Sequence, residues 1–191
     1  MKVVLASHNK GKLVELAAIL EAGVPALELV GYDGPEPIED GTSYLANALI
    51  KARAANQHTG LPAIADDRGI AVEILGGSPG IFSARWSGTR DAATNRQLLL
   101  AQLEDVASEH RAAAFVCTIA LVDGDEEISF TGIWPGSIAT EERGTNGHGY
   151  DPIFIPEGFE QTAAEIESEV KNAFSHRAQA LSQLIEYLRA N

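Results

Sequence analysis

Residues 1–20 read MKVVLASHNKGKLVELAAIL, and three kinds of patterning follow one another within them. Val3, Val4, Leu5 and Ala6 form a short apolar run of the kind that makes a buried strand. Ser7, His8, Asn9, Lys10 and Gly11 are polar, and beyond them Leu13, Leu16, Ala17 and Leu20 recur at helical spacing. Strand, loop and helix in that order open an α/β fold. The helix start carries free N–H groups and a positive dipole end, and Lys12 adds a formal charge beside them. Such a start can hold an anion or can be an ordinary capped helix.

The same reading extends outward. Residues 27–30 predict a second strand, ended by the turn-rich segment 31–37. A helix is expected from Ser43 to about His58, with Leu45, Ala48, Leu49, Ala52 and Ala55 on one face and Gly60 beyond it. Residues 61–65 predict a strand that stops at Asp66-Asp67-Arg68-Gly69, with another over 70–75 and a turn over 76–80. Asp91 can cap a helix to Leu103, and residues 113–122 and 127–134 predict two long strands around Asp123-Gly124-Asp125. Gly144, Gly147 and Gly149 mark a long loop. Ser175 can cap a last helix that turns Ala178, Leu181, Leu184, Ile185 and Leu188 inward. Strands and helices mix without strict alternation, which predicts an α/β fold with a mixed β-sheet flanked by helices.

The chain has 191 residues, 45% of them hydrophobic and 21% charged, which predicts one ordered domain with a real core, two at most. Its 14 basic and 27 acidic residues give a net charge of −13, which argues against a broad nucleic-acid footprint but not against a small phosphate ligand. A single cysteine, Cys117, allows no internal disulfide and fits a reducing, cytoplasmic compartment. No signal peptide is expected from the four-residue apolar run near the start, and no stretch approaches the ~18 apolar residues of a membrane span.

Neither SHNKGKL nor GHGYDP satisfies the Walker A or dinucleotide patterns, the five histidines lack metal-ligand spacing, and no G-x-S-x-G elbow is present. Asp66 and Asp67 are adjacent like charges, which a hard divalent ion would neutralise, as a solvated turn also could. Glu39 and Asp40 add carboxylates after a proline-rich turn. Lys51 and Arg53 lie on the polar side of an apolar-faced helix. Gly147, His148, Gly149, Tyr150 and Asp151 place flat side chains where a base could stack, or where a loop packs on its own aromatics. Lys171, Ser175, His176 and Arg177 gather positive charge at the start of the last helix. Each feature alone has an ordinary structural explanation. Together they pair phosphate-binding cations (Lys12, Lys51, Lys171, Arg177) with Mg²⁺-binding carboxylates (Glu39, Asp66, Asp67), which points to a nucleotide or another phosphorylated small molecule.

On SHNKGKLVEL (7–16), LANALIKARAA (45–55), AIADDRGIAVEILGGSPGIFSARWSG (63–88), GHGYDPIF (147–154) and SHRAQAL (175–181), the chain resembles the inosine/xanthosine triphosphate pyrophosphatases that act on non-canonical purine nucleotides. The stretches run in family order from end to end. The resemblance implies one 1–191 domain of two lobes on an elongated mixed sheet, with the nucleotide in the cleft between them, and a homodimer. It implies Mg²⁺-dependent hydrolysis of ITP, dITP or XTP to the monophosphate and pyrophosphate, with Mn²⁺ a substitute. By position, Ser7, His8, Asn9, Lys10, Gly11 and Lys12 match the phosphate loop, and Lys51 a further phosphate contact. Glu39 and Asp67 match the metal carboxylates, with Asp66 a further candidate and Asp67 also the proton acceptor. His148, Gly149, Tyr150, Asp151, Lys171, His176 and Arg177 match the base and sugar contacts.

The chain departs from the family pattern at three places. Ser7-His8 stands where Thr-Gly is usual, Arg68 where Ser is usual, and His148 where Phe is usual. Arg68 could reach a triphosphate or pair with Asp66. Two other functions stay open on these residues: a pyrophosphatase for modified pyrimidine triphosphates, and a nucleotide-binding regulatory module without turnover. Pyrophosphate release from ITP, XTP, dUTP and ATP separates them.

Overall fold

The computed structural model describes residues 1–191 apart from the side chain of Asn172. Six strands form one sheet: β1 (Lys2–Leu5), β2 (Glu28–Gly31), β3 (Ala63–Val72), β4 (Ala112–Asp123), β5 (Glu126–Ile138) and β6 (Phe154–Pro156). Their order is β2-β1-β3-β4-β5-β6. β1 runs parallel to β2 and β3, while β5 and β6 are antiparallel, so the sheet is mixed. Gly124 and Asp125 alone join β4 to β5, a connection short enough only for a hairpin. Five helices accompany the sheet: α1 (Lys10–Gly23), α2 (Tyr44–Thr59), α3 (Ala92–Gln102), α4 (Ser168–Phe174) and α5 (His176–Ala190). Among the described residues no helix is long and apolar enough to cross a membrane.

The chain groups into two compact units, each assembled from separate segments. The first comprises Met1–Asp67, Thr118–Thr131 and Gln179–Asn191. Within it, β1-α1-β2 crosses to one neighbour of β1 and β2-α2-β3 crosses back over β1 to the other; right-handed parallel crossovers running in opposite directions put their helices on opposite faces of a sheet. Small residues let α2 lie close: Ala48 and Ala52 pack on Ala65 of β3 and on Ala120 and Val122 of β4. Ser43 caps α2 by accepting from the Ala46 N–H, a contact worth ~1 kcal/mol. Leu45, expected on the buried face, is 40% exposed, and Asn47 takes a buried place at 3%. The second unit comprises Arg68–Cys117 and Gly132–Ala178, around a core of Ile70, Leu99, Leu103, Trp134, Ile153 and Phe154.

Several elements differ from expectation. The segment Asp66-Asp67-Arg68-Gly69 does not end a strand: β3 passes through it as far as Val72. Charges interrupt a strand only when they lack partners, and Asp66 and Asp67 have theirs in Lys12 and Asn47. Beyond Val72 the chain turns through a short 3-10 segment, Glu73–Leu75, which Gly76 closes with φ 62°. β5 continues past Trp134 to Ile138. Lys171 does not begin the last helix but lies in α4, separated from α5 by Ser175, which caps α5 through the Ala178 N–H.

Candidate active site

In a parallel region of an open sheet, ligands gather at the carboxyl ends of the strands. β1 ends at Leu5, level with Ile64, and β3 runs on beyond that point. The loop leaving β1 enters α1 through Asn9, whose side-chain oxygen accepts from the Lys12 N–H at 3.0 Å, while the Asn9 N–H donates to Ser7 Oγ at 3.2 Å. No acidic residue lies in the first turn of α1. A 14-residue helix therefore presents its N-terminal N–H groups and dipole without a competing carboxylate on its own first turn. Lys10 and Gly11 are exposed at this start. His8 turns away from it: one ring nitrogen lies 2.8 Å from the Gly34 carbonyl oxygen, the other 3.1 Å from Glu36, and the ring stacks on Tyr32. Its added bulk is absorbed by segment 32–36, and its backbone is what the loop presents.

Two lysines hold carboxylates here. Lys12 Nζ pairs with Asp66 Oδ1, and Lys51 Nζ lies 3.2 Å from Glu39 Oε2. The two lysine side chains are only 19% and 18% exposed, so Lys51 is not a solvated-face residue. Arg53 is one, paired on the surface with Glu127.

Asp66 and Asp67 do not crowd each other. Successive side chains leave opposite faces of a strand. Ala63 and Ala65 face α2, so Asp67 does too, and the Asn47 amide donates to its Oδ2 at 3.0 Å. Asp66 leaves on the other face, toward Lys12. Tyr44, one turn before Asn47, has a buried hydroxyl with no hydrogen-bond partner among the described residues. Burial foremost, and then the Asp67 charge, push its pKa well above the usual phenol value.

The second unit gathers the other predicted residues. Asp151, 5% exposed, accepts from the His148 N–H at 2.8 Å and from Lys171 Nζ at 2.5 Å. Gly147 makes this possible: at φ 73°, any Cβ there would lie 2.1 Å from Asp151 Oδ2. Arg96 of α3 donates to the Gly149 carbonyl at 2.7 Å and pairs with Glu142. Tyr150 is core: its hydroxyl donates to the Ser83 carbonyl at 2.7 Å, and burial pushes its pKa up to about 12. Of the two openings left by the sequence, its ring follows the self-packed loop. His148 is exposed as a residue, yet desolvation of its ring, then the Arg68 charge, lower its pKa below 6.5; Lys171 and Arg177 add to this and Asp151 opposes it. The ring is neutral at neutral pH and can both donate and accept. His176 stacks on Phe115 with centroids 4.9 Å apart. Arg68 and Arg177 thus belong electrostatically with His148.

With this geometry in place, comparison with known proteins is decisive. A family model described as the Ham1 family matches residues 3–187. The chain belongs to the Ham1 family. A dITP/XTP pyrophosphatase of Leifsonia xyli subsp. xyli is 55% identical over 192 residues, covering all of this chain and 96% of that protein. A solved HAM1 protein from Coxiella burnetii superposes with TM-score 0.92 at 39% identity, over the full length of both chains. The nucleoside-triphosphatase / dITP/XTP pyrophosphatase from Mycobacterium abscessus gives 0.84 at 50% identity, covering 96% of this chain and 98% of that one. The mixed six-stranded sheet with flanking helices is therefore the Ham1 fold.

Three residues of this Ham1 chain escaped the sequence reading: Asn47, Tyr44 and Arg96. Asn47 had a detectable signal, since a fully polar amide sits beside Ala48 on a face otherwise built of alanines. Tyr44 and Arg96 had none, because the Asp67 charge that acts on Tyr44 and the Gly149 carbonyl that Arg96 holds lie far along the chain.

The donors in the first unit also suit a metal ion. Glu39, Asp66 and Asp67 offer carboxylate oxygens, the ligand type of a hard cation such as Mg²⁺. Among the described residues no three His, Cys, Asp or Glu side chains form a metal-holding group. One or two carboxylates completed by substrate phosphates is the usual Mg²⁺ arrangement, and this donor set fits it.

Proposed function

We propose that this chain hydrolyses ITP, dITP and XTP to the monophosphate and pyrophosphate, clearing the nucleotide pool of deaminated purines. The observation that carries the reading is the Lys12–Asp66 and Lys51–Glu39 pairing beside an amide-held Asp67. Each lysine is held at low exposure by a carboxylate that a phosphate oxygen can replace, with little side-chain entropy left to lose. The relatives named above support the substrate class.

Ser7, Asn9, Lys10, Gly11 and the α1 start receive the phosphates in this reading, and Lys12 and Lys51 offset charge growing on the departing pyrophosphate. Asp67 takes the proton from the water that attacks the α-phosphorus, forming the new P–O bond as the bond to the β-phosphate bridging oxygen breaks. Glu39 and Asp67 would hold Mg²⁺, which supplies charge neutralisation when bound, while Asp66, on the opposite face of β3, stays with Lys12. His148, Gly149, Tyr150, Asp151, Lys171, His176 and Arg177 receive the base and sugar, with Tyr150 and Asp151 acting chiefly by shaping their loop. Hypoxanthine and xanthine carry an acceptor oxygen at position 6, where adenine carries a donor. Lys171 and Arg177 offer donors only. Arg68 acts beside His148. A homodimer in the cytoplasm completes the proposal.

The test is release of pyrophosphate from ITP, dITP, XTP, GTP, dUTP and ATP with Mg²⁺. ITP and XTP should exceed GTP, and GTP should exceed ATP; stripping with excess EDTA should stop the reaction and Mn²⁺ should restore it. Release of orthophosphate, ATP at parity with ITP, or full activity in EDTA would overturn the reading.

A further inference from the structure

Asn47 lies near the start of α2, 3% exposed, and both ends of its amide are used. Its Oδ1 accepts from the Gly41 backbone N–H at 2.9 Å, and its Nδ2 donates to Asp67 Oδ2 at 3.0 Å. The amide orientation follows from chemistry. A backbone N–H can only donate, so Gly41 selects the oxygen and leaves the nitrogen for Asp67. Asp67 is thereby met by a donor at one named oxygen.

Gly41 is fitted to the same contact. A Cβ there would lie 2.6 Å from Asn47 Oδ1 and 2.9 Å from the Asn47 backbone nitrogen, so segment 39–41 closes on α2 only through a glycine. Glu39, two residues before Gly41, is held by Lys51, one turn after Asn47 on the same helix. One stripe of α2 therefore grips the segment carrying Glu39 at two points and Asp67 at a third. Few side chains could replace the amide. Aspartate keeps the acceptor for Gly41 and loses the donor to Asp67; alanine loses both; leucine fills the space and pairs with neither.

From this geometry we infer that Asn47 is the positioning residue of Asp67: by holding Oδ2 it fixes the rotation of the carboxylate that takes the proton. The inference rests on the reading of Asp67 as proton acceptor. Asn47 touches no reacting atom. Its contribution is orientation, and a misplaced acceptor costs turnover rather than substrate affinity. The bond to Gly41 is the structural half of the same residue, and variants can separate the halves.

The experiment measures ITP turnover, the dissociation constant of an ITP analogue non-hydrolysable at the α–β bridge, and thermal stability. The proteins are Asn47→Ala, Asn47→Asp, Asp67→Asn and the double variant Asn47→Ala/Asp67→Asn. The expected result is a kcat loss of ~10–100-fold for both Asn47 variants, with analogue affinity moving less than about threefold. Residues that act as a unit are non-additive, so adding Asn47→Ala to Asp67→Asn should cost less than about threefold more. Asn47→Asp keeps the Gly41 contact and decides the matter if Asn47→Ala does not fold. A folded Asn47→Asp with kcat within about threefold of the parent chain overturns the positioning role, as does full multiplication of the two losses in the double variant. Near-parental turnover by Asp67→Asn overturns the underlying reading, whereas a slow Asp67→Asn beside a fast Asn47→Asp overturns this inference alone.

Discussion

Lys12→Met removes an ammonium while keeping an unbranched side chain of similar length, so its first effect falls on Asp66. That carboxylate is 7% exposed and loses the cation bonded to its Oδ1. Removing one partner from a fully buried ion pair costs ~3–5 kcal/mol, and from an exposed pair ~0–1. Lys12 is 19% exposed, so water reaches part of the gap. The structure thus places the loss between these limits and nearer the buried one, at about 2–3 kcal/mol. Adding Asp66→Asn removes the stranded charge and should return stability to within about 1 kcal/mol of the parent chain. Urea unfolding at pH 7.5 reads both values, provided the m-value stays constant. Turnover should not follow stability: the double variant, refolded to near-parental strength, still lacks the Lys12 charge and stays slow. A Lys12→Met protein that unfolds within about 0.5 kcal/mol of the parent, or a double variant no more stable than the single one, would refute this role of the Lys12–Asp66 pair.

Asp67→Asn keeps size and removes the proton acceptor; turnover should fall at least ~10²-fold with the thermal midpoint little changed, and near-normal activity of the purified variant would refute the assignment. Arg177→Ala should narrow the ITP/ATP ratio of kcat/KM in competition assays, whereas an unchanged ratio would make Arg177 a phosphate or helix contact. His148 is held below its ordinary pKa of 6.5, foremost by desolvation and then by Arg68. Its folded form binds fewer protons than its unfolded form, so stability is lost as pH falls through 6.5 toward the folded value. His148→Phe should flatten this acid-side loss in urea midpoints taken from pH 7.5 to 5, and an identical slope would count against it.

The opening strand–loop–helix was legible because its three patterns are local: apolar run, polar break, helical period. The caps at Asp91 and Ser175 were legible for the same reason, each being one residue type at one helix start. β6 is three residues long and ends in Pro156, too short to show a period. α4 has no side-chain cap at Glu167, which left Lys171 to be read as part of the following helix. In the candidate site, residue types pointed to Lys12, Lys51, Glu39 and Asp67, since charge is visible in sequence. The Asn47–Gly41 contact was not visible, because it depends on how a loop folds back over a helix.

Ending the strand at 66–69 had a chemical consequence, because it made two aspartates a crowded pair that either a divalent ion or a solvated turn would have to relieve. A turn would bunch Asp66, Asp67 and Arg68 on one side. A continuous strand separates them by its period of two. Ala63, Ala65 and Asp67 form the row facing α2, and Ile64, Asp66 and Arg68 form the other. Asp67 accordingly meets an amide, and Asp66 meets Lys12. The boundary between the two compact units falls between Asp67 and Arg68, and the Arg68 charge is felt at His148. Three consecutive charges thus acquire three different neighbours without any loop to separate them. Because register alone does this, a one-residue insertion before Asp66 would carry Asp66 into Asp67's place and Asp67 into that of Arg68, while leaving the composition of the strand almost unchanged. Such a variant would keep its carboxylates and lose the arrangement that distinguishes them.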